Sequence, residues 1–558
     1  MKMKMNSQRY ILKISSLTLR NNNWNYNISL NDARKNEEVI SLGDSQCLRF
    51  IRDITGYKYT EEDILNNSKN IKVLRKAGRR LGNSIKVKDK LKEAYELRDK
   101  MLFVEDYISI VFKTKKDFDY ACRKGFLVNG KKFKRLVGTT GGVKNSTVQF
   151  CSEEIYEDLN RRMENGWNKN TPIVPAKFEA YKALSCSVST PVTMPRMIII
   201  KDGTVNIKDT VIKVVDNNNG GFMVKHNVPY EAEKQFTDGA GMMTPEMAAK
   251  WAIDLGQYHF DTEGNKVADY IPSGCNTRFS YSKGVLACFD FKLFANEVAN
   301  EYMIEDCWGD MRDIRDADII LTDNMMKLTA AYKNMEDYLE HCKNNGYDFC
   351  ITKITPKKLE KKRNTNYQYL QSYEDMSDED IEELISETVE NINGALGEDI
   401  RKTILFTRGK YITEGDIKAS DPDFTKALMI DESVISDTYV KQQIYKMIHK
   451  RINDAKMGVL QIDGNYAMIV GDMYALCQHM FKMKVTGLLK FGEFYSGNWL
   501  KQGVNEVIAF RSPMTSHNNI RRLKFINNSE TEKWFKYLDT MIIFNAFDTT
   551  CDAMNGAD

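Results

Sequence analysis

Short apolar, β-branched runs fall in two separate blocks of this chain, and that separation limits the folds open to it. In the first block residues 197–200, 204–215 and 284–289 read as strands; in the second, 459–462, 466–470 and 507–510 do. Between them, from about 295 to 455, the pattern is mostly helical, a connector of roughly one domain's length. Asp202-Gly203 and Asp463-Gly464 each follow an apolar run and predict hairpin turns. Thr244-Pro245-Glu246 predicts a helix start, with threonine as cap and proline at the first position. Ser377 with Asp380 predicts a capping box. Behind it Ile381, Leu384, Ile385, Val389 and Ile392 form one apolar helix face.

Upstream, residues 108–112 read as a strand, 116–124 as a helix, and Asn129-Gly130 as a tight turn. The stretch FKRLVGTTGGVKNSTVQF carries Arg135, Gly138, Gly141, Gly142 and Lys144. A glycine loop flanked by bases suits phosphates, but GK[ST] is absent, so a P-loop is excluded and an ordinary loop is the preferred reading. Residues 150–186 read as helical. No repeat of fixed period is visible, which excludes solenoids and propellers.

Composition narrows the function classes. Of 558 residues, 42% are hydrophobic and 11% aromatic, which excludes a chain disordered throughout. Lys+Arg 80 against Asp+Glu 77 gives +3, so the whole is no polycation. Yet basic residues dominate 72–100 (Lys72, Arg75, Lys76, Arg79, Arg80, Lys86, Lys88, Lys90, Lys92), and acids dominate 374–390. A basic segment of this kind suits a phosphate backbone or a solvated helix face. Eleven scattered cysteines contain no CxxC pair, and there is no HExxH among six histidines. Structural zinc, a secreted disulfide scaffold and a zinc hydrolase are therefore not expected, and reduced thiols are. No apolar run reaches ~18 residues, so no membrane span is expected, and MKMKMNSQRY lacks the apolar core of a signal peptide.

Seven segments then define a resemblance. These are AKFEAYKALSCSVST at 176–190, TDGAGMMTPEMAAKWA at 237–252, PSGCNTRFSYSKGVLACFDF at 272–291 and NTNYQYLQ at 364–371. GLLKFGEFYS at 487–496, VIAFRSPMTSHNNIRRLKF at 507–525 and NAFDTTCDAMNGAD at 545–558 follow. In this order they resemble the two-barrel RNA polymerase superfamily, and within it the single-chain phage RNA polymerases and the eukaryotic RNA-silencing polymerases. The resemblance runs from about residue 130 to the end. It implies an α+β, multidomain chain with two double-psi β-barrels, the second incomplete, joined by a helical connector. The expected organisation is 1–130, an α/β region of unknown role; 131–185, a pre-barrel segment; 186–295, the first barrel; 296–455, the connector; and 456–558, the second barrel.

The implied reaction is nucleotidyl transfer from an NTP to an RNA 3′ end on a nucleic-acid template. Such chemistry needs charge stabilisation on a triphosphate, which clustered carboxylates supply by holding Mg²⁺. The resemblance makes Asp558 the first aspartate of that metal loop, a catalytic and metal-binding residue. It makes Lys283 a catalytic lysine facing nucleotide phosphates or the RNA end, and Arg278 a nucleotide-binding arginine in the same segment. Arg511 becomes the catalytic and nucleotide-binding arginine that reads the ribose hydroxyl, a task suited to a guanidinium fork. Lys283, Arg511 and Asp558 are expected at one nucleotide. His517 matches the family histidine after that arginine, in either a loop-orienting or a catalytic role. Asp463 and Asp472 are rejected as a metal site, and Asp238 reads as a turn former.

The family loop has three aspartates and this chain carries only the first, so it is expected to be the N-terminal portion of a longer or split enzyme, inactive without the rest. The expected partners are template, RNA product, NTPs and a separately encoded C-terminal polymerase fragment, with no membrane, in the cytoplasm of a bacterial host if the gene is a phage's. An RNA template in place of DNA, or a non-catalytic nucleic-acid-binding half of a split polymerase, are the rival readings.

Overall fold

A computed structural model describes residues 8–80, 85–138, 147–235, 239–373, 375–408, 421–514 and 516–554. Within it the chain forms two compact units, Met1–Thr355 with Leu476–Val485, and Pro356–Ala475 with Thr486–Asp558.

The first unit opens with a seven-stranded mixed sheet. Its order is Asn25–Tyr26, Phe126–Val128, Lys131–Gly138, Thr147–Ser152, Phe103–Val111, Arg9–Ser15, Val39–Leu42. Side chains alternate across a strand, and both faces here are apolar. Leu12, Ile14, Ile108, Ile110 and Phe150 pack on one side. Ile11, Tyr107 and Cys151 pack on the other, under the helices Gln46–Ile54 and Glu153–Glu164. Asn129 and Gly130 both have positive φ and close the tight turn read from the sequence. That turn lies inside this sheet, so the boundary expected at 130 cuts a hairpin rather than separating two regions. The glycine-rich stretch 139–146 lies outside the described residues. Helices Glu61–Arg80 and Ile85–Leu102 lie side by side, Asn67 Nδ2 donating to the Ala94 carbonyl at 3.0 Å.

A second seven-stranded sheet follows. It runs Thr190–Pro191, Cys350–Ile354, Gly274–Phe279, Ser282–Cys288, Ala240–Met243, Ile319–Thr322, Met197–Ile200. The first β block therefore extends to Ile354, well past the 295 read from the sequence. Residues 319–322, buried throughout, and 350–354, buried at Cys350 and Ile351, are short strands inside a stretch that otherwise looks helical. Nor is Asp202-Gly203 a hairpin turn. Met197–Ile200 is buried at every residue and pairs in parallel with Ile319–Thr322. Thr204–Asp216 instead pairs with Phe222–Gln235 in a separate ribbon. The ribbon carries exposed Lys208, Asp209 and Lys213, charges that a partner buried on both faces would strip of water.

The second unit holds a five-stranded sheet of order Met468–Gly471, Met541–Phe544, Glu493–Tyr495, Ile520–Phe525, Glu506–Phe510. Numbered along the chain, its strands lie first, fifth, second, fourth, third, and neighbours pair parallel, antiparallel, parallel, antiparallel. The first unit repeats this arrangement. Met197–Ile200, Ala240–Met243, Gly274–Phe279, Ser282–Cys288 and Ile319–Thr322 have the same spatial order and the same alternation. In both, a helix follows the second strand directly, Pro245–Asp254 in one and Gly497–Leu500 in the other. The duplication is topological and leaves no sequence period. The hairpin expected around Asp463-Gly464 is absent. Gln461–Asp463 pairs with Lys362–Asn364, and Met468–Gly471 joins the five-stranded sheet.

Helices Asp378–Leu396, Ile400–Arg408, Asp423–Ile430 and Thr438–Lys456 pack around Ala395, Phe406, Leu428, Val440, Ile444 and Ile448. The Ser377/Asp380 capping box forms as expected. Among the described residues no helix is long and apolar enough to cross a membrane.

Candidate functional site

In the first unit the PSGCNTRFSYSKGVLACFDF segment is a hairpin, and its register sets Arg278 directly opposite Lys283. Cross-strand partners share a face, so both side chains project from the same side of the sheet. Arg278 is largely buried, and burial pushes its guanidinium below the ordinary arginine value. Its Nη1 donates to the Thr277 carbonyl at 2.7 Å, its Nε has no hydrogen-bond partner, and no carboxylate pairs with it among the described residues. Lys283 is half-buried, and its backbone N–H donates to the Met325 carbonyl at 3.1 Å.

Gly284 explains how two motifs meet here. A Cβ at Gly284 would lie 2.6 Å from the Gly239 carbonyl oxygen and 2.7 Å from Met325 Cε. The SKGV strand and the glycine turn of TDGAG therefore touch through bare backbone. Asp238 itself lies outside the described residues.

Further along this sheet is a polar group that the sequence reading missed. Buried Asn324 donates through Nδ2 to Asp202 at 2.7 Å, and the Asp202 N–H donates to Asp323 at 2.9 Å. His479 Nε2–H donates to the carbonyls of Asp202 and Lys201, at 2.9 and 3.2 Å. No motif marks these residues, and only the fold brings 202, 324 and 479 together. A cavity of about 810 Å³ in this unit, lined by Met194, Met197, Phe279, Leu339 and Phe349 with Arg196 and Arg312, lies on the other side of the hairpin. Phe279 faces it, and the strand's alternation turns Arg278 away.

In the second unit Arg511 is exposed and follows directly on the strand Glu506–Phe510. The NTNYQYLQ segment braces its loop. Asn366 Nδ2 donates to Ser512 Oγ at 2.7 Å, Tyr369 stacks on Phe510 with centroids 4.7 Å apart, and Tyr373 meets the His517 ring edge-on at 5.4 Å. Asn366 also caps the helix Tyr367–Gln371, which carries Tyr369. His517 is thus packed on an aromatic ring, which suits a loop-orienting residue.

The GLLKFGEFYS and NAFDTTCDAMNGAD segments also meet. Asn545 Nδ2 donates to the Glu493 carbonyl at 3.0 Å and to Asp548 at 2.5 Å, and Asp548 accepts the Gly492 N–H at 3.0 Å. Burial alone would raise the Asp548 carboxyl. Hydrogen bonds from Asn545, Thr550 and Gly492 outweigh burial and hold it below the usual carboxylate range. Asn545 and Asp548 stand within the NAFDTTCDAMNGAD segment, where the sequence alone does not mark them out from their neighbours.

Asp472 is tied to the backbone. Its two oxygens accept four backbone N–H groups, from Tyr474, Ala475, Leu488 and Leu489 at 2.6–3.2 Å. Gly487, at φ +57°, is needed beside it, because a Cβ there would lie 2.7 Å from Asp472 Oδ2. Asp463 is exposed at a strand end with Lys362 Nζ at 3.6 Å. Among the described residues no three His, Cys, Asp or Glu side chains form a cluster that could hold a metal ion. Asp558 lies outside the described residues. Of the expected site residues, Arg278 and Lys283 are together in the first unit, and Arg511 belongs to the second.

These segments are those of a polymerase family. The chain belongs to the RNA dependent RNA polymerase family, whose profile matches residues 73–552. It is similar to the DNA-directed RNA polymerase YonO of Bacillus phage SPbeta, 25% identical over 427 residues that span 74% of this chain and 46% of that protein. It is also similar to the solved RNA dependent RNA polymerase QDE-1 from Thielavia terrestris, at 13% identity and a TM-score of 0.49, over 81% of this chain and 48% of that one. The chain spans about half the length of both relatives.

Proposed function

We propose that this chain is the part of a template-directed RNA polymerase that carries both duplicated sheets, and that it adds NTPs to an RNA 3′ end. The observation that carries this reading is the pairwise meeting of the family's segments. SKGV lies on TDGAG, NTNYQYLQ on the R-x-P-x-x-x-H loop, and the GE turn on the NAFD segment.

Lys283 and Arg278 present adjacent positive charge to nucleotide phosphates or the RNA end, and Arg278 does so from a low-dielectric setting where charge is felt more strongly. Arg511, held at the mouth of a braced loop, donates to the ribose hydroxyl. Mg²⁺ is the proposed cofactor, supplying charge stabilisation at the triphosphate when bound. The described residues hold no donor set for it, and Asp558 is proposed as the first of its carboxylates. Template, RNA product, NTPs and a polypeptide supplying further carboxylates are the proposed partners, in the cytoplasm of a bacterial host.

The test is RNA extension on matched single-stranded DNA and RNA templates with Mg²⁺ and NTPs. Residues 1–558 are assayed alone and with a polypeptide supplying the family's remaining loop aspartates. Synthesis is expected only in the second case, and Asp558→Ala or Lys283→Ala should then abolish or severely reduce it. Synthesis by residues 1–558 alone would contradict the role given to the added carboxylates. Nucleic-acid binding with no synthesis in either case would favour a non-catalytic binding half.

A further inference from the structure

The paired helices Glu61–Arg80 and Ile85–Leu102 form an arm of roughly 30 Å whose charge the polymerase reading does not use. From 69 to 92 the sequence has ten Lys or Arg and one acid, Asp89. At 100° per residue, Lys69, Lys72, Arg75, Lys76, Arg79 and Arg80 fall within an arc of about 140°. The charge is not neutralised from within. Lys69, Lys72, Lys76, Arg79, Lys88 and Lys90 are exposed, and none pairs with a carboxylate among the described residues. Lys92 reaches Glu96 at 4.0 Å. Lys72/Lys76, Arg75/Arg79, Lys86/Lys90 and Lys88/Lys92 are like charges at i,i+4, a spacing that works against the helix carrying them.

We propose that this arm binds the sugar–phosphate backbone of a nucleic-acid duplex without regard to sequence. Residues three or four apart on one helix face have Cβ atoms about 5–6 Å apart, and their long basic side chains can each meet a phosphate. The preference for a duplex over a single strand comes from what the arm lacks. Single-strand binders stack bases on free aromatic faces. The arm has one aromatic residue, Tyr95, and its ring is covered by the guanidinium groups of Arg75 and Arg98, at 5.5 and 4.8 Å. Arg75 Nε also donates to the Tyr95 hydroxyl at 2.6 Å. Charge without a stacking platform suits a backbone whose bases are already paired.

The experiment is fluorescence anisotropy with the full chain and a labelled 20-base-pair DNA duplex, a matched RNA duplex and a 20-nucleotide single strand, from 50 to 300 mM NaCl. Lys72→Gln/Lys76→Gln/Arg79→Gln/Lys88→Gln should flatten the slope of log K against log salt by about 3–4, at about 0.9 per lost phosphate contact. At 100 mM salt its duplex affinity should fall about a hundredfold or more. Lys72→Arg/Lys76→Arg/Lys88→Arg should bind like the parent, and circular dichroism should show equal helix content in all three proteins. Unchanged duplex binding in the glutamine variant overturns the proposal, as does tighter binding of the single strand. Binding to vesicles containing 30% phosphatidylserine that the glutamine variant loses, with no duplex binding by the parent, would assign the arm to a membrane instead. None of these readings uses NTPs, so failure here is separate from failure of RNA synthesis.

Discussion

Gly284→Ala is a one-carbon change whose effect follows from coordinates alone. The added methyl would stand 2.6 Å from the Gly239 carbonyl oxygen and 2.7 Å from both Cγ and Cε of Met325. Met325 is fully buried and has little room to retreat. The Gly239 carbonyl is backbone at a turn of φ +119°, so it yields less than a side chain would. Overpacking of this kind costs about 1–3 kcal/mol. For a unit of residues 1–355 and 476–485 the unfolding entropy is roughly 0.8 kcal/mol per degree, so Tm should fall by about 1–4 °C. Lys283 is the preceding residue, so the parting of the strand from the glycine turn should also weaken nucleotide binding. Met325→Ala alone should cost about 2–5 kcal/mol as a cavity. The double variant should be less destabilised than the sum of the two by about 1 kcal/mol, because the methyl fills vacated space. Recovery should remain incomplete, since the Gly239 oxygen stays in place. Calorimetry on the four proteins, with equilibrium binding of a labelled NTP, reads both effects. An unchanged Tm and unchanged NTP affinity for Gly284→Ala would refute the close approach of the two motifs.

Arg511→Ala should leave the fold intact and relax discrimination between ribo- and deoxyribonucleotides by about 1–3 kcal/mol, roughly fivefold to 160-fold, in competitive incorporation. Ser377→Ala removes the side chain that accepts the Asp380 N–H at 3.1 Å, and should destabilise the second unit by about 1 kcal/mol in denaturant melts. Acid stability carries a sign. Asp318 is raised by burial, but its bonds to Arg196 outweigh this and hold it below its ordinary value, and the Arg315 side chain draws Asp313 down to about 2. Folded values below the unfolded ones contribute stability that is present above pH ~4 and is lost as pH falls toward 2. Arg196→Met should therefore move the acid unfolding midpoint of the first unit upward, and an unmoved midpoint would contradict the pairing.

Local chemistry was legible in the sequence. The capping box at Ser377, the helix start at Thr244 and the turn at Asn129-Gly130 depend on residues a few positions apart, and each forms as read. The family segments were legible because their residues serve close backbone approaches, as Gly284 and Gly487 do. Long-range pairing was not. Asp202-Gly203 and Asp463-Gly464 look like hairpin turns because apolar runs flank them, but Met197–Ile200 finds its partner more than a hundred residues away, and Gln461–Asp463 and Met468–Gly471 find theirs about a hundred residues back and about seventy ahead. The same limit hid the Asp202–Asn324–His479 group, and the duplicated strand order, which lives in connectivity rather than in residue identity.

The inclusion of Leu476–Val485 in the first unit has a consequence for synthesis on the ribosome. Cys477 Sγ lies 3.6 Å from Met242 Sδ, His479 closes the polar group at Asp202, and Phe481 stacks on Phe294. None of these contacts can form when residue 355 leaves the ribosome. Another 120 residues or so must be made first, roughly 6–24 s at 5–20 residues per second. During that interval the first unit waits with apolar surface at Met242 and Phe294 uncovered while much of the second unit emerges. A nascent chain arrested near residue 400 should therefore be more open to chaperones and proteases around that patch than one arrested after 520, although its first 355 residues are identical.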